Sequence, residues 1–210
     1  MILMKTSDLS LTESSHKAVE ILLSGGIVAF PTETFYALGA KFDLEDSLKN
    51  LYAIKQRPFE KAIPLIIGHR ELLSMITSSV NRSAVSLMDR FWPGPLTLIF
   101  PALENLSDYI TAGTHTVAVR IPGESFALRL ARSAQFPLTA TSANISGSPP
   151  ACNAETVIKY FNGTLDLIID GGKTPGGSPS TIVDVTGETV RILREGIIKK
   201  ENMAAYFMPG

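Results

Sequence analysis

The chain has 210 residues, 45% of them hydrophobic and 19% charged, with 19 Lys plus Arg against 20 Asp plus Glu for a formal net charge of -1. That content supplies one buried core and excludes a disordered chain, while the near-neutral charge excludes a whole-molecule field toward nucleic acid or anionic membranes, so any anion site must be local. Cys152 is the single cysteine, which excludes an intramolecular disulfide, and no apolar run approaches the ~20 residues of a membrane span.

Met1 to Ser10 has no basic stretch leading into an apolar run of signal-peptide length, so the expectation is a cytoplasmic protein without a membrane segment. Ser10-Leu11-Thr12-Glu13 reads as a capping box, Ala18, Val19, Leu22 and Leu23 share a helix face, and Gly25-Gly26 ends that helix. The apolar run 27–30 reads as a strand buried on both faces, which Pro31 delivers into polar Thr32-Glu33-Thr34. The next helix starts near Asp43, turns Leu44, Leu48 and Leu51 inward and stops at Pro58, leaving Lys55 and Arg57 at its last turn.

Residues 64–67 read as a strand, 70–76 as a short helix, and 79–91 as a longer one stopped by Trp92-Pro93-Gly94-Pro95. Strands 96–100 and 117–121 follow, then a helix over 124–134 and an extended stretch 137–141 leading into Ser142-Ala143-Asn144. Asn153 caps a helix to about Phe161, 165–169 is a strand, 170–179 a Gly/Pro-rich loop, and strands 181–185 and 190–193 close the body. No repeat, charge block or linker divides the chain. The expected fold is α/β with a mixed sheet in a single domain, residues 1–210.

Cations at a helix end are commonly a solvated pair facing the negative end of the helix dipole. Lys55 and Arg57, with Lys61 beyond, equally suit a clamp on phosphate oxygens, a compact charge beside a planar fork. Thr32-Glu33-Thr34 and Thr141-Ser142-Ala143-Asn144 lie at strand ends, where hydroxyls satisfy loop backbone but where open α/β sheets also bind ligands. Gly172-Lys173-Thr174 is not a P-loop, because Leu167 stands where the first glycine belongs and Pro175 forbids the following helix. The 170–179 loop is therefore read either as a lid over ligand or as a plain connection.

His16, His69 and His115 have no metal-ligand spacing, no Gly-x-Ser-x-Gly elbow occurs, and Cys152 has no catalytic neighbour, so it reads as a partly exposed, inert thiol. Arg120 inside an apolar strand demands an anionic partner, either an acidic side chain or a ligand, and Arg194 poses the same question.

Six segments occur together in a fixed order: Pro31-Thr32-Glu33-Thr34 with Tyr36 and Leu38-Gly39-Ala40, Lys55-x-Arg57-Pro58, Trp92-Pro93-Gly94-Pro95-Leu96-Thr97, Val117-Ala118-Val119-Arg120-Ile121-Pro122, Ser142-Ala143-Asn144-x-Ser146-Gly147, and Ser180-Thr181-Ile182-Val183-Asp184. In that order the chain resembles the YrdC/Sua5-type L-threonylcarbamoyladenylate synthases over about residues 12–197. The resemblance implies a twisted, mostly mixed sheet curled around a basic cavity with flanking helices. It implies synthesis of L-threonylcarbamoyl-AMP and pyrophosphate from L-threonine, bicarbonate or CO2, and ATP. The product would pass to the transferase machinery that modifies tRNA adenosine 37, with direct tRNA binding secondary.

By resemblance, Lys55, Arg57, Ser142 and Asn144 form the catalytic signature, and Thr34 and Ser180 hold threonine. Arg57, Lys61, Thr116, Arg120, Ser142 and Arg194 hold ATP, whose phosphates carry Mg2+ without a metal ligand from the protein. Phe35 and Ala37 replace the family's more usual Val and Gly, and Ala62-Ile63 stands where Pro-Leu is common. The further C-terminal domain of longer Sua5 members is not expected. An RNA-binding module of the same fold, or a relative using another acceptor than threonine, remains an alternative.

Overall fold

Ser10 and Glu13 cap each other at the start of helix α1 (Leu11–Leu23), with Glu13 N–H donating to Ser10 Oγ at 3.2 Å and Ser10 N–H to Glu13 Oε2 at 2.9 Å. The computed structural model describes residues 1–6 and 10–206, and residues 7–9 and 207–210 lie outside that description. Before α1 runs β1 (Ile2–Lys5), and after it come β2 (Val28–Pro31), β3 (Tyr36–Gly39) and α2 (Glu45–Lys55). Then follow β4 (Leu65–Ile66), a 3-10 helix (Arg70–Met75), α3 (Arg82–Phe91), β5 (Leu96–Pro101), α4 (Asp108–Thr111), β6 (Thr116–Arg120) and α5 (Phe126–Ala134). The chain continues through β7 (Leu138–Thr139), β8 (Thr141–Ser142), α6 (Ala154–Phe161), β9 (Leu167–Asp170), β10 (Thr181–Asp184), β11 (Arg191–Arg194) and a 3-10 helix (Lys200–Tyr206).

The α/β class is as expected, but the mixed sheet is split into two, a five-stranded one in the order β1-β9-β2-β3-β8 and a six-stranded one in the order β11-β10-β5-β6-β4-β7. Strands β1, β9 and β2 are parallel, with β3 and β8 added antiparallel. The period-2 rule explains why β2 reads as an unbroken apolar run. Val28 and Phe30 pack in one cluster with Leu22, Leu130 and Ile169, while Ala29 faces a second cluster with Leu38, Leu65, Leu98 and Val119. A strand covered on both faces has no reason to alternate in polarity.

Strands β1 and β3 and the single-turn α4 are additions to the elements read from the sequence. Residues 36–39 pair antiparallel with β2, Phe30 opposite Ala37 and Ala29 opposite Leu38. Gly39 accommodates this closeness, since a Cβ there would lie 2.7 Å from the Phe30 ring.

Candidate active site

The carboxyl ends of β2, β8 and β9 in one sheet and of β6 and β11 in the other bring the polar segments together. After Pro31 the chain reverses through 32–35 around Thr32. Its Oγ1 donates to the Phe35 carbonyl at 2.8 Å and accepts from the Thr34 and Phe35 amides at 3.1 and 3.3 Å. Thr32 therefore does the structural work of the turn, and Glu33 and Thr34 remain half-buried beside it.

Helix α2 ends where Gln56 takes the left-handed conformation at φ 50°, which swings Arg57 out of the helix before Pro58 is reached. Lys55, the last helical residue, is only 1% exposed. Its ammonium donates to the Ser142 carbonyl and, at 2.8 Å, to the Asn144 carbonyl, while its own carbonyl accepts from Ser146 N–H at 2.9 Å. Ser142 Oγ donates to Asn144 Oδ1 at 2.5 Å, and Asn144 Nδ2 donates to the carbonyls of Ile145 and Ser148. The Lys-x-Arg and Ser-x-Asn signatures, nearly ninety residues apart, are thus one hydrogen-bonded unit. Burial, followed by the neighbouring Arg57 charge, pulls the Lys55 ammonium down to about 7. The two carbonyl acceptors act in the opposite sense.

Arg57 folds back on its own loop, Nε donating to the Lys61 carbonyl at 2.9 Å and Nη2 to the Ala62 carbonyl at 2.8 Å. Lys61 is exposed beside it. Residues 62–64 lead directly into β4, which runs parallel to β6. Arg57, Lys61 and Thr116 therefore lie toward the beginning of β6, where Thr116 shares a hydroxyl hydrogen bond with Thr114 at 2.9 Å.

Arg120, at the other end of β6, is roughly 13 Å further along the strand. Its partner is Glu33, and this ion pair, with side chains 14% and 17% exposed, joins the two sheets. Arg194 donates to the Ser180 carbonyl at 2.8 Å, and Ser180 Oγ is paired with Thr97 Oγ1 at 2.8 Å. Partial burial, then the nearby Arg120 charge, holds the Arg194 guanidinium below its usual range. Thr34 and Ser180 thus belong to the Arg120 end, Arg57, Lys61 and Thr116 to the other, and Ser142 to Asn144 bridges them through the Ala143 amide on the Tyr36 carbonyl at 2.8 Å.

The 170–179 loop is tied down along its first half. Tyr36, fully buried, donates its hydroxyl to the Gly172 carbonyl at 2.7 Å and accepts from Gly171 N–H at 3.1 Å. Burial foremost pushes that phenol up to about 12, so it stays a donor. Thr174 N–H donates to the Cys152 carbonyl at 2.8 Å and Gly176 N–H to the Thr34 carbonyl at 2.7 Å. Cys152 itself is half-buried, as expected. The loop is bonded directly to the Thr34 turn, and beneath it a cavity of about 390 Å3 is lined by Thr32, Glu33, Glu124, Ser125, Lys173 and Thr174 among others.

The sequence motifs include Glu33, Tyr36 and Thr97 without giving them roles, and Gly196 stands outside them. The charge of Arg120 inside an apolar strand signals an anionic partner without naming it, and the structure supplies Glu33. Gly196 left none, since its importance is a close approach. A Cβ there would lie 2.1 Å from the Pro179 carbonyl oxygen and 2.6 Å from the Ser180 carbonyl carbon. Gly196→Ala is expected to cost about 1–3 kcal/mol by overpacking this corner, read as a lower urea midpoint with an unchanged slope. A midpoint equal to wild type would contradict the close approach.

The family model Sua5_yciO_yrdC, described as telomere recombination, matches residues 20–196. The chain belongs to this family. It is 40% identical over 186 residues to a threonylcarbamoyl-AMP synthase of Pyrococcus abyssi (strain GE5 / Orsay), a match covering 89% of the chain and 55% of that relative. The crystal structure of P. abyssi Sua5 complexed with L-threonine superposes with a TM-score of 0.90 at 36% identity, over 99% of this chain and 61% of that one. E. coli YciO superposes with a TM-score of 0.82 at 26% identity over 99% and 98%. The chain thus spans just over half the length of the P. abyssi synthase and nearly all of YciO.

Proposed function

We propose that the protein makes L-threonylcarbamoyl-AMP and pyrophosphate from L-threonine, bicarbonate or CO2, and ATP. One observation carries the reading. Lys55, Arg57 and Arg194 are each fixed by neutral carbonyl oxygens, and none of them forms an ion pair among the described residues. Their charges are aimed but not neutralised, and a polyanion supplies what is missing. The name of the P. abyssi relative and the threonine held by the P. abyssi Sua5 structure support the same reading.

The chemistry needs no nucleophilic side chain. Threonine's amine captures CO2 as a carbamate, a carbamate oxygen attacks the α-phosphorus of ATP, and pyrophosphate leaves. Catalysis is then orientation and charge stabilisation. Lys55, Arg57, Lys61 and Thr116 with Ser142 and Asn144 would hold the nucleotide's phosphates, and Arg120 and Arg194 would extend that positive field toward the amino acid. Thr34 and Ser180, half-buried at the Arg120 end, would receive threonine through their hydroxyls. Among the described residues no group of three or more His, Cys, Asp or Glu could hold a metal, and Glu33 is engaged by Arg120. Mg2+ would enter on the ATP phosphates, where it would offset charge on the leaving pyrophosphate.

The reaction we propose belongs to the cytoplasm, where a transferase acting on tRNA adenosine 37 would consume the product. Among the described residues no helix is long and apolar enough to cross a membrane. Purified protein with Mg-ATP, bicarbonate and L-threonine is expected to release pyrophosphate in a threonine-dependent manner. Release that ignores threonine but answers another amino acid would make this a relative with a different acceptor, and no release with any of them would refute adenylate formation.

A further inference from the structure

Glu33 makes one contact with each sheet. Its backbone sits in the β2–β3 turn next to Thr34, and Oε1 accepts from Arg120 Nη1 at the end of β6. Oε2 is buried and has no hydrogen-bond partner. A carboxylate oxygen withdrawn from water without a donor is costly, and such atoms are rare in folded proteins. A donor arriving with a ligand removes that cost. The terminal torsion of Glu is broad, so turning the carboxylate exchanges the two oxygens between Arg120 and the half-buried side of the turn. The charged groups facing it are Arg120 from β6, Arg194 behind Arg120 from β11, and Glu124 and Lys173 across the adjoining cavity.

We infer that Glu33 is a catalytic residue of the proposed synthase reaction, receiving the α-ammonium group of the amino-acid substrate on its free carboxylate oxygen and taking the proton that must leave before nitrogen can attack. The inference rests on the synthase reading. The ammonium group gives one proton to the carboxylate, which frees the nitrogen lone pair. Nitrogen then bonds the carbon of CO2, one C=O electron pair moves onto oxygen, and the second nitrogen proton passes to solvent, leaving the carbamate. Glu33 returns its proton to solvent before the next turnover. Arg120, held by the other oxygen, orients the carboxylate, so the residue that serves substrate also positions the base.

The deciding experiment compares wild type with Glu33→Gln in threonine-dependent pyrophosphate release across pH 7 to 9, beside a direct ATP-binding measurement. Glutamine preserves the shape and the acceptor for Arg120, so ATP binding should change by less than about threefold. Turnover should fall on the order of a hundredfold at neutral pH. The deficit should shrink as pH rises, because more of the threonine then arrives with a free amine. Glu33→Asp should recover part of the rate. A deficit that is the same at every pH, or one matched by an equal loss of ATP binding, would make Glu33 only a support for Arg120 and overturn the inference. Wild type that releases no threonine-dependent pyrophosphate sinks the synthase reading itself, a result distinct from either of these.

Discussion

Lys55→Met is expected to lower threonine-dependent pyrophosphate release by about two to three orders of magnitude, the usual effect of removing a preorganised charge from a reacting centre. Two losses combine. The ammonium disappears from the middle of the site, and the carbonyls of Ser142 and Asn144 lose their donor in a place water does not reach. Each buried acceptor left unpaired costs about 1–3 kcal/mol, so the Ser142 to Asn144 loop should loosen along with the chemistry. Lys55→Arg should not restore activity, because a planar fork does not fit a space shaped for a compact head held by two converging carbonyls.

A pH series on the same pair of proteins separates the charge from the packing. The Lys55 ammonium falls from its ordinary 10.5 to about 7 in the folded protein, so between those values the unfolded chain binds a proton that the folded one lacks. This group's contribution to stability therefore rises with pH through that window and is lost as pH falls back through about 7. Urea midpoints of the wild type should gain on those of Lys55→Met as pH goes from 7 to 10. Parallel curves would show that Lys55 keeps its ordinary proton affinity in the fold.

Arg120→Met should be the second largest loss, this time in stability. The substitution leaves Glu33 charged, mostly buried and without a counter-ion, a situation that costs about 3 kcal/mol. It also removes the ion pair that ties the β2–β3 turn to the end of β6. Adding Glu33→Gln to Arg120→Met should recover much of the stability, since the orphaned charge is gone, but not ATP or threonine binding. A double-mutant cycle in urea measures this, with a coupling of at least ~1 kcal/mol expected between two groups in direct contact. Strictly additive effects would mean the pair is not coupled in solution.

How far the sequence was readable follows from the range of each signal. The α1 capping box, the Asn153 cap and the two-sided burial of β2 involve residues within a few positions of one another, and all three appear in the structure. Strand β3 escaped reading because Tyr36-Ala37-Leu38-Gly39 has no alternation, being buried on both faces like β2, and lies directly against a polar turn. The cations were visible as a cluster at 55–61, but what they were doing was not. A lysine seen at a helix end looks like a solvated charge, and nothing nearby in sequence announces that its head is buried on carbonyls from residues 142 and 144.

Local patterns thus dictate the helices with their caps, most strands, the α/β class and, through motifs kept in order, the family. Distance along the chain limits them. The division of the strands into two sheets depends on pairings of widely separated segments, and the union of the Lys-x-Arg and Ser-x-Asn segments and the Arg120 to Glu33 bridge each depend on residues 87 to 89 positions apart. Such contacts arise only when both sheets are assembled, because packing and unpaired charge, unlike helix or strand periodicity, have no signature within a single segment.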